Sequence, residues 1–475
     1  MNLKTVIGIE MHTALNTKTK IFSNSLNTYS NTPNMAVSNI DLAHPGTLPY
    51  LNKETVYKAI TMALSLNCEV ADTLIFDRKC YFYPDLAKGY QITQDTLPIG
   101  LSGNLDIEVG NRLVNIKIAD IHLEEDTASL DHFNDYSLLD FNRAGTPLLE
   151  IVTEPCISSA DEAVAFLEQV RNIYKYTGVS NADTKKGEVR CDLNISMHEE
   201  GSSTFGTRVE IKNVNSFSNV RDAINYEIKR QSDLIKSGNK EKIIKETRRW
   251  DEEKEMTVSM REKSDALDYR FHVDPNIPKI KIDNDLIENI KKTIPELPLA
   301  RKEKYINDYD LSAYDAGVLI KDKDISDYFE KCLTLGIDPK EASNWITSEL
   351  MGYLNKENIE ISDCYLTPER LFIILNNLNN KTINSKQAKD LFNLVLEEER
   401  EPIDLIIKYN MKQIDNKDEL EIIIKEILNN NENQVKEYKE GKTNLFDYFV
   451  GQTMKETKGK ANPELVKEIL LQLLK

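Results

Sequence analysis

No Cys-x-x-Cys pair occurs in this 475-residue chain, and its six cysteines (Cys68, Cys80, Cys156, Cys191, Cys332 and Cys364) are scattered. That pattern argues against both a disulfide framework and a structural zinc site. Apolar runs long enough to cross a membrane are missing, and the opening MNLKTVIGIE has no apolar signal core, so the expected location is the cytoplasm. Positive charge is in deficit. The net charge of −18 speaks against broad, non-specific binding of polyanions, although a local basic patch remains able to hold a nucleic acid. The common phosphate loops are absent as well. The GKT at Gly441 has Lys436 where a Walker A loop needs its first glycine, and no G-x-G-x-x-G follows a strand. The GLSG at Gly100 is one residue short of a nucleophile elbow, and no Ser/His/Asp set emerges. Internal repeats and long low-complexity segments are lacking too.

What is present divides into two unlike halves, and the length allows two or three domains. Up to about Pro278 strand-like segments alternate with turns; candidates are 107–109, 113–123, 188–197 and 207–213. Ser159-Ala-Asp-Glu162 reads as a capping box, followed by an apolar stripe at Leu167, Val170 and Tyr174 and a stop at Gly178. A second helix is predicted from about Asn219 to Lys236, closed by Gly238. From Pro295 onward the pattern is helical, broken near 295–298, 379–384 and 415–417. The expected architecture is α+β, with an antiparallel-sheet domain over 1–292 followed by all-α domains over 293–405 and 406–475.

The chemistry lies on the strands. In VIGIEMHTAL, Val6, Gly8, Glu10 and His12 share one face, while Ile7, Ile9 and Met11 share the other. EVRCDLNIS places Glu188, Arg190, Asp192 and Asn194 on one side, and TRVEIKN does the same with Arg208, Glu210 and Lys212. The polar, Gly-bearing link between those two predicts an antiparallel hairpin with Asp192 and Glu210 in diagonal reach. In IADIHLEEDTASL, alternation puts His122 and Glu124 on one face and Glu125 on the other, so both acids reach one site only through a bulge or a strand end. Any one of these faces is explained by solvation alone. Their recurrence is not, because gathered carboxylates repel one another and call for a cation. Oxygen donors with one imidazole suit Mg²⁺ or Mn²⁺, and loosely held Mg²⁺ usually bridges nucleotide phosphates. Basic residues occur nearby in sequence: Arg78, Lys79 and Lys88 among tyrosine and phenylalanine rings, then Arg248 and Arg249 in ETRRWDEE.

Seven segments in this order, VIGIEMHTAL, RKCYFYPDLAKGYQIT, LDFNRAGTPLLEIVTEP, EVRCDLNIS, FGTRVEIKNVNSF, ETRRWD and GQTMKETKGKANP, resemble the B subunits of aspartyl/glutamyl-tRNA amidotransferases. The resemblance spans nearly the whole chain. It implies a cradle-like α+β domain carrying a kinase-like site, then a helical domain and a helical tail that grip tRNA. It also implies partners: an amidase (the A subunit) that releases ammonia from glutamine, a small bracing C subunit, and misacylated tRNA. In such assemblies the B subunit uses ATP and Mg²⁺ to phosphorylate the side-chain carboxylate of Glu-tRNA(Gln) or Asp-tRNA(Asn), and ammonia then displaces the phosphate. The chain is thus expected to be a ligase subunit forming a carbon–nitrogen bond.

Set on these residues, the resemblance gives a cation shell of Glu10, His12, Glu124, Glu125, Asp192 and Glu210, with Glu10, His12 and Glu125 as the catalytic members. Glu150 is a lower-ranked acid. Lys79, Lys88, Arg190 and Arg248 are candidates for phosphate contacts, each equally able to form a structural ion pair. Lys455, Lys458 and Lys460 in the tail motif suit tRNA phosphates. The competing expectation is a tRNA-docking scaffold without chemistry. The acids favour the enzyme, since mere docking of an anionic ligand has no use for an anionic cluster. A metal-dependent nuclease is disfavoured by the motifs around those acids.

Overall fold

A computed structural model describes residues 2–202, 204–214, 216–262, 268–411, 416–457 and 459–474. Two compact units emerge, 1–300 and 301–475.

The first unit is built on a nine-stranded sheet. Its strands in chain order are β1 (Leu3–Ala14), β2 (Glu69–Val70), β3 (Gly100–Val109), β4 (Arg112–Glu125), β5 (Pro147–Thr153), β6 (Val189–Glu199), β7 (Val209–Val214), β8 (Glu246–Asp251) and β9 (Met256–Glu262). Their spatial order is β9-β8-β7-β6-β1-β5-β4-β3-β2. All neighbours run antiparallel except β7 and β8. A parallel pair needs a crossover, and the helix between these two strands supplies it. The sheet is therefore mixed, where alternation alone predicted an antiparallel one.

Three helices pack on the apolar face: α1 (Lys53–Ser65), α2 (Ala160–Thr177) and the crossover α3 (Phe217–Lys236). Ile7, Ile9 and Met11 of β1 are at most 1 % exposed and share one core with Leu149 and Ile151 of β5, Ile121 and Leu123 of β4, and Phe166, Leu167, Val170 and Tyr174 of α2. Burying that face leaves the opposite one to the polar side chains, which is how period-2 alternation builds a site. Ser159 caps α2 by accepting the Glu162 N–H at 3.2 Å, and Gly178 closes the helix at φ +67°. The expected box is only half formed. The Glu162 carboxylate turns to Ser158 and Arg112 instead of back to the cap.

The second unit holds two apolar clusters, one from Tyr305 to Met411 and one from Leu420 to Leu474. The expected break at 405/406 falls inside a helix, Pro402–Lys408. Lys455 lies in the last turn of the helix Leu445–Glu456, and Lys460 stands just before the last helix, Pro463–Leu473. Lys458 lies outside the described residues. Among the described residues no helix is long and apolar enough to cross a membrane.

Candidate active site

Register assembles the site. Across β6, β1, β5 and β4, Arg190 faces His12, His12 faces Glu150, and Glu150 faces His122. One step along, Asp192 faces Glu10, and Glu10 faces Val152, which faces Asp120. Both rows lie on the face opposite Ile7, Ile9 and Met11. Residues far apart in the sequence thus become lateral neighbours.

At the centre, the His12 Nε2 is 3.2 Å from Glu150 Oε2 and 3.7 Å from Glu124 Oε1. The same Glu150 oxygen meets His122 Nε2 at 3.0 Å, and His122 Nδ1 meets Asp120 at 2.8 Å. Gln91 donates to the second oxygen of Glu124 at 3.1 Å. Burial alone would lower the His12 imidazole. The hydrogen bond and charge of Glu150, with Glu124 and Asp192 behind it, carry it up to about 9 instead. Burial likewise opposes His122, and Glu150 and Asp120 hold it up at about 10. Burial works on the two acids as well. On Glu150 the two imidazoles overcome it and keep the carboxyl well below the usual range. Glu124 is raised, first by burial and then by repulsion from Glu150.

This arrangement meets the chemical requirements of a hard divalent ion. One ligand atom from each of His12, Glu124 and Glu150 lies within 4.8 Å of the others, and the facing carboxylates need positive charge between them. His122, fixed between Asp120 and Glu150, orients the central carboxylate from outside that trio, a common support for metal ligands. Glu150, ranked low from sequence, is the hub. His122 was visible in the alternation Asp120–His122–Glu124, but nothing in that segment reveals which strand lies opposite.

The remaining candidates divide. Glu10 accepts from Asn194 Nδ2 at 2.8 Å and is raised, mainly by burial and then by Glu150. Asp192 and Glu210 take the diagonal placement expected of them, and Lys212 reaches both, at 2.7 and 3.6 Å. Glu125, the last residue of β4, stands apart from the trio: Lys88 binds both its oxygens at 2.5 and 2.6 Å, and the Ile92 N–H donates to it at 2.8 Å. Arg190 pairs with Asp126 at 3.1 Å. Lys79 lies over the Tyr269 ring, 4.9 Å from its centroid, and its charge opposes the rise at Glu124.

Arg248 behaves differently. It donates to Glu246 at 2.6 Å and to the Thr257 hydroxyl and carbonyl at 2.8 and 2.7 Å, and it approaches the fully buried Glu227 at 3.8 Å. Such a guanidinium neutralises buried acid and leaves little for phosphate. Arg248→Met is expected to destabilise the fold by about 3 kcal/mol, because it strands buried carboxylates. A lowered Tm is the expected result; an unchanged Tm would return Arg248 to the candidate phosphate contacts.

Fold and cluster together define an α+β protein with an oxygen-rich, imidazole-bearing site suited to a divalent cation. A family model described as the GatB/GatE catalytic domain matches residues 5–288, and one described as the GatB domain matches residues 327–474. The chain is 46 % identical over 473 residues to a Geobacillus kaustophilus (strain HTA426) protein named as the B subunit of aspartyl/glutamyl-tRNA(Asn/Gln) amidotransferase, covering 99 % of each chain. A protein of the same name from Persephonella marina (strain DSM 14350 / EX-H1) is 44 % identical over 476 residues, covering 100 % of both. This chain belongs to the GatB/GatE family.

Proposed function

We propose that this chain is the tRNA-activating B subunit of a glutamine-dependent amidotransferase. It binds Glu-tRNA(Gln), Asp-tRNA(Asn) or both, and it phosphorylates the side-chain carboxylate with ATP before ammonia attacks. Its partners are the amidase (A) and small (C) subunits and the misacylated tRNA, and the assembly works in the cytoplasm.

The observation that carries this reading is the His12–Glu124–Glu150 trio, with Glu124 buried and the other two half-buried, on the polar face of the sheet. A carboxylate is a poor acyl donor, because oxide would have to leave. Transfer of the γ-phosphoryl group to a carboxylate oxygen, with ADP leaving, converts that oxygen into a workable leaving group. Ammonia then forms the amide bond as phosphate departs. Mg²⁺ supplies the positive charge that phosphoryl transfer requires. His12, Glu124 and Glu150 would hold that ion, with His12 giving up its proton to become a ligand. Asp120 and His122 fix the angle of Glu150. Arg190, paired with Asp126, and Lys79 are the candidates for meeting phosphate oxygens, and Lys88 holds Glu125 in its orientation.

The direct test follows ADP release by the assembled enzyme with glutamine withheld. Release that requires misacylated tRNA and Mg²⁺ supports the reading. Release that is indifferent to the charged state of the tRNA contradicts it.

The three-part division, 1–292, 293–405 and 406–475, assigns chemistry to the first part and tRNA grip to the last. Replacing Lys455 and Lys460 together with Glu is expected to weaken tRNA binding and to flatten its salt dependence by roughly two in log–log slope, since each lysine that meets a phosphate contributes about one. Filter binding at several salt concentrations checks this, and an unchanged slope would place the tRNA elsewhere.

A further inference from the structure

Next to the proposed metal trio stands a smaller sheet of three strands, with Asp77–Cys80 between Tyr90–Thr93 and His272–Val273. Alternation divides its middle strand. Arg78 leaves on one face, where Asp274 and Asn276 each accept from it at 2.6 Å and the Tyr90 ring lies against it. Lys79 leaves on the other face, opposite Gln91 across the ladder. Gln91 is the residue that donates to Glu124 of the trio at 3.1 Å, so the Lys79 face is the one turned toward the site.

A row of rings begins at Lys79. Its Nζ lies over Tyr269, and Tyr269 meets Tyr81 and Phe271 edge-on, with centroids 5.9 and 6.0 Å apart. The Cys80 N–H donates to the Tyr269 carbonyl at 2.8 Å and ties that ring to the sheet. The inner end of the row reaches the acids: burial first, then the charges of Asp85, Glu124, Tyr269 and Glu125, push the Tyr81 phenol up. The outer end reaches water, with Phe271 41 % and Phe82, next in the chain after Tyr81, 91 % exposed. Arg78 and Lys88 are tied to carboxylates, whereas Lys79 and Arg270 form no ion pair among the described residues. In a chain of net charge −18, two such cations beside exposed rings mark a place for an anion with flat, apolar parts. A single strand of nucleic acid has that chemistry, since every base offers a face to stack and every phosphate a charge. The 3′ end of a tRNA is a short unpaired strand, and the carboxylate to be activated hangs from its terminal ribose. Delivering that carboxylate to the trio brings the unpaired strand to the surface beside it.

We propose that Tyr81, Phe82, Tyr269 and Phe271, with Lys79 and Arg270 beside them, form the stacking surface for the single-stranded 3′ end of the misacylated tRNA. The inference rests on the activating role proposed above. The rings hold the bases and the two cations meet the phosphates between them, so the strand is led from solvent to the acids. Stacking is indifferent to base identity, and this surface therefore positions the end of the tRNA without selecting among tRNAs.

The test measures the Kd of the assembled enzyme, without ATP, for intact tRNA(Gln) and for the same tRNA trimmed of its unpaired 3′ nucleotides. Trimming is expected to cost wild type about tenfold, the scale of a stacked base, and to cost Phe271→Ser and Tyr269→Leu less than about twofold. Tyr269→Phe, which keeps the ring, is expected to behave as wild type. Phe271 is exposed, so Phe271→Ser serves even where Tyr269→Leu fails to fold, and thermal unfolding and gel filtration report folding and assembly. Wild type that is indifferent to trimming, or variants that lose as much as wild type on trimming, would overturn the proposal. Variants that no longer assemble would make the row a subunit contact, and variants with a raised KM for ATP but unchanged tRNA binding would give the rings to the nucleotide base; either result overturns it as well. ADP release by wild type that still requires misacylated tRNA keeps the activating role standing through any of these failures.

Discussion

A Glu150→Gln chain assembled with its companion subunits is expected to lose about a thousandfold in ATP-dependent amidation. The magnitude follows from the several kcal/mol of transition-state charge that a bound divalent ion stabilises, at about 1.4 kcal/mol per factor of ten. Glutamine isosterically replaces the acid that lies between His12, at 3.2 Å, and His122, at 3.0 Å. It removes one of the two carboxylates that would hold the ion and takes away the charge that supports both imidazoles. Binding of misacylated tRNA should be unchanged, because the cluster lies on the first unit and the proposed tRNA grip on the tail. Side-by-side measurement of amidation rate and tRNA affinity separates the two effects. A loss below about tenfold, the scale of an outlying support residue, would remove Glu150 from the ion's ligands.

The second large effect is in pH and stability. Without a metal, the carboxylates around them push the His12 imidazole up to about 9 and the His122 imidazole up to about 10, against 6.5 for an unperturbed imidazole. A folded-state value above the unfolded one means that the native state binds the proton more tightly. The resulting stability is fully present below about pH 6.5 and is lost as pH rises through 9 to 10. Because each group is shifted by more than two units and the two share Glu150, the combined change is on the order of a few kcal/mol. Chemical denaturation in chelator is therefore expected to show falling stability from pH 7 to pH 10, with Glu150→Gln largely flattening the profile. A stability that rises over that interval would contradict the charge state assigned to the cluster.

How much of this was legible beforehand depends on the range of the signal. The opening strand declared itself: Ile7, Ile9 and Met11 went to the core, and Glu10 and His12 went to the other face, as period-2 alternation requires. The cap at Ser159 and the stop at Gly178 were equally local and fixed the ends of α2. Glu150 could not be ranked in that way. Its importance comes from standing opposite His12 on one side and His122 on the other, and register between strands so far apart in sequence leaves no local trace. Glu125 was placed by alternation on the face away from Glu124, and there it meets Lys88. For Arg248 the choice between phosphate contact and structural ion pair stayed open in ETRRWD, because the buried acid it approaches, Glu227, belongs to the crossover helix.

The central claim is that this chain activates a tRNA-borne carboxylate, and hydroxylamine capture tests it most directly. The assembled enzyme is given ATP, Mg²⁺ and Glu-tRNA(Gln) with glutamine withheld, and hydroxylamine traps any acyl phosphate as the side-chain hydroxamate. Wild type is expected to yield hydroxamate that depends on ATP and Mg²⁺, and the Glu150→Gln assembly to yield almost none. Equal hydroxamate from both assemblies would place the chemistry outside this site.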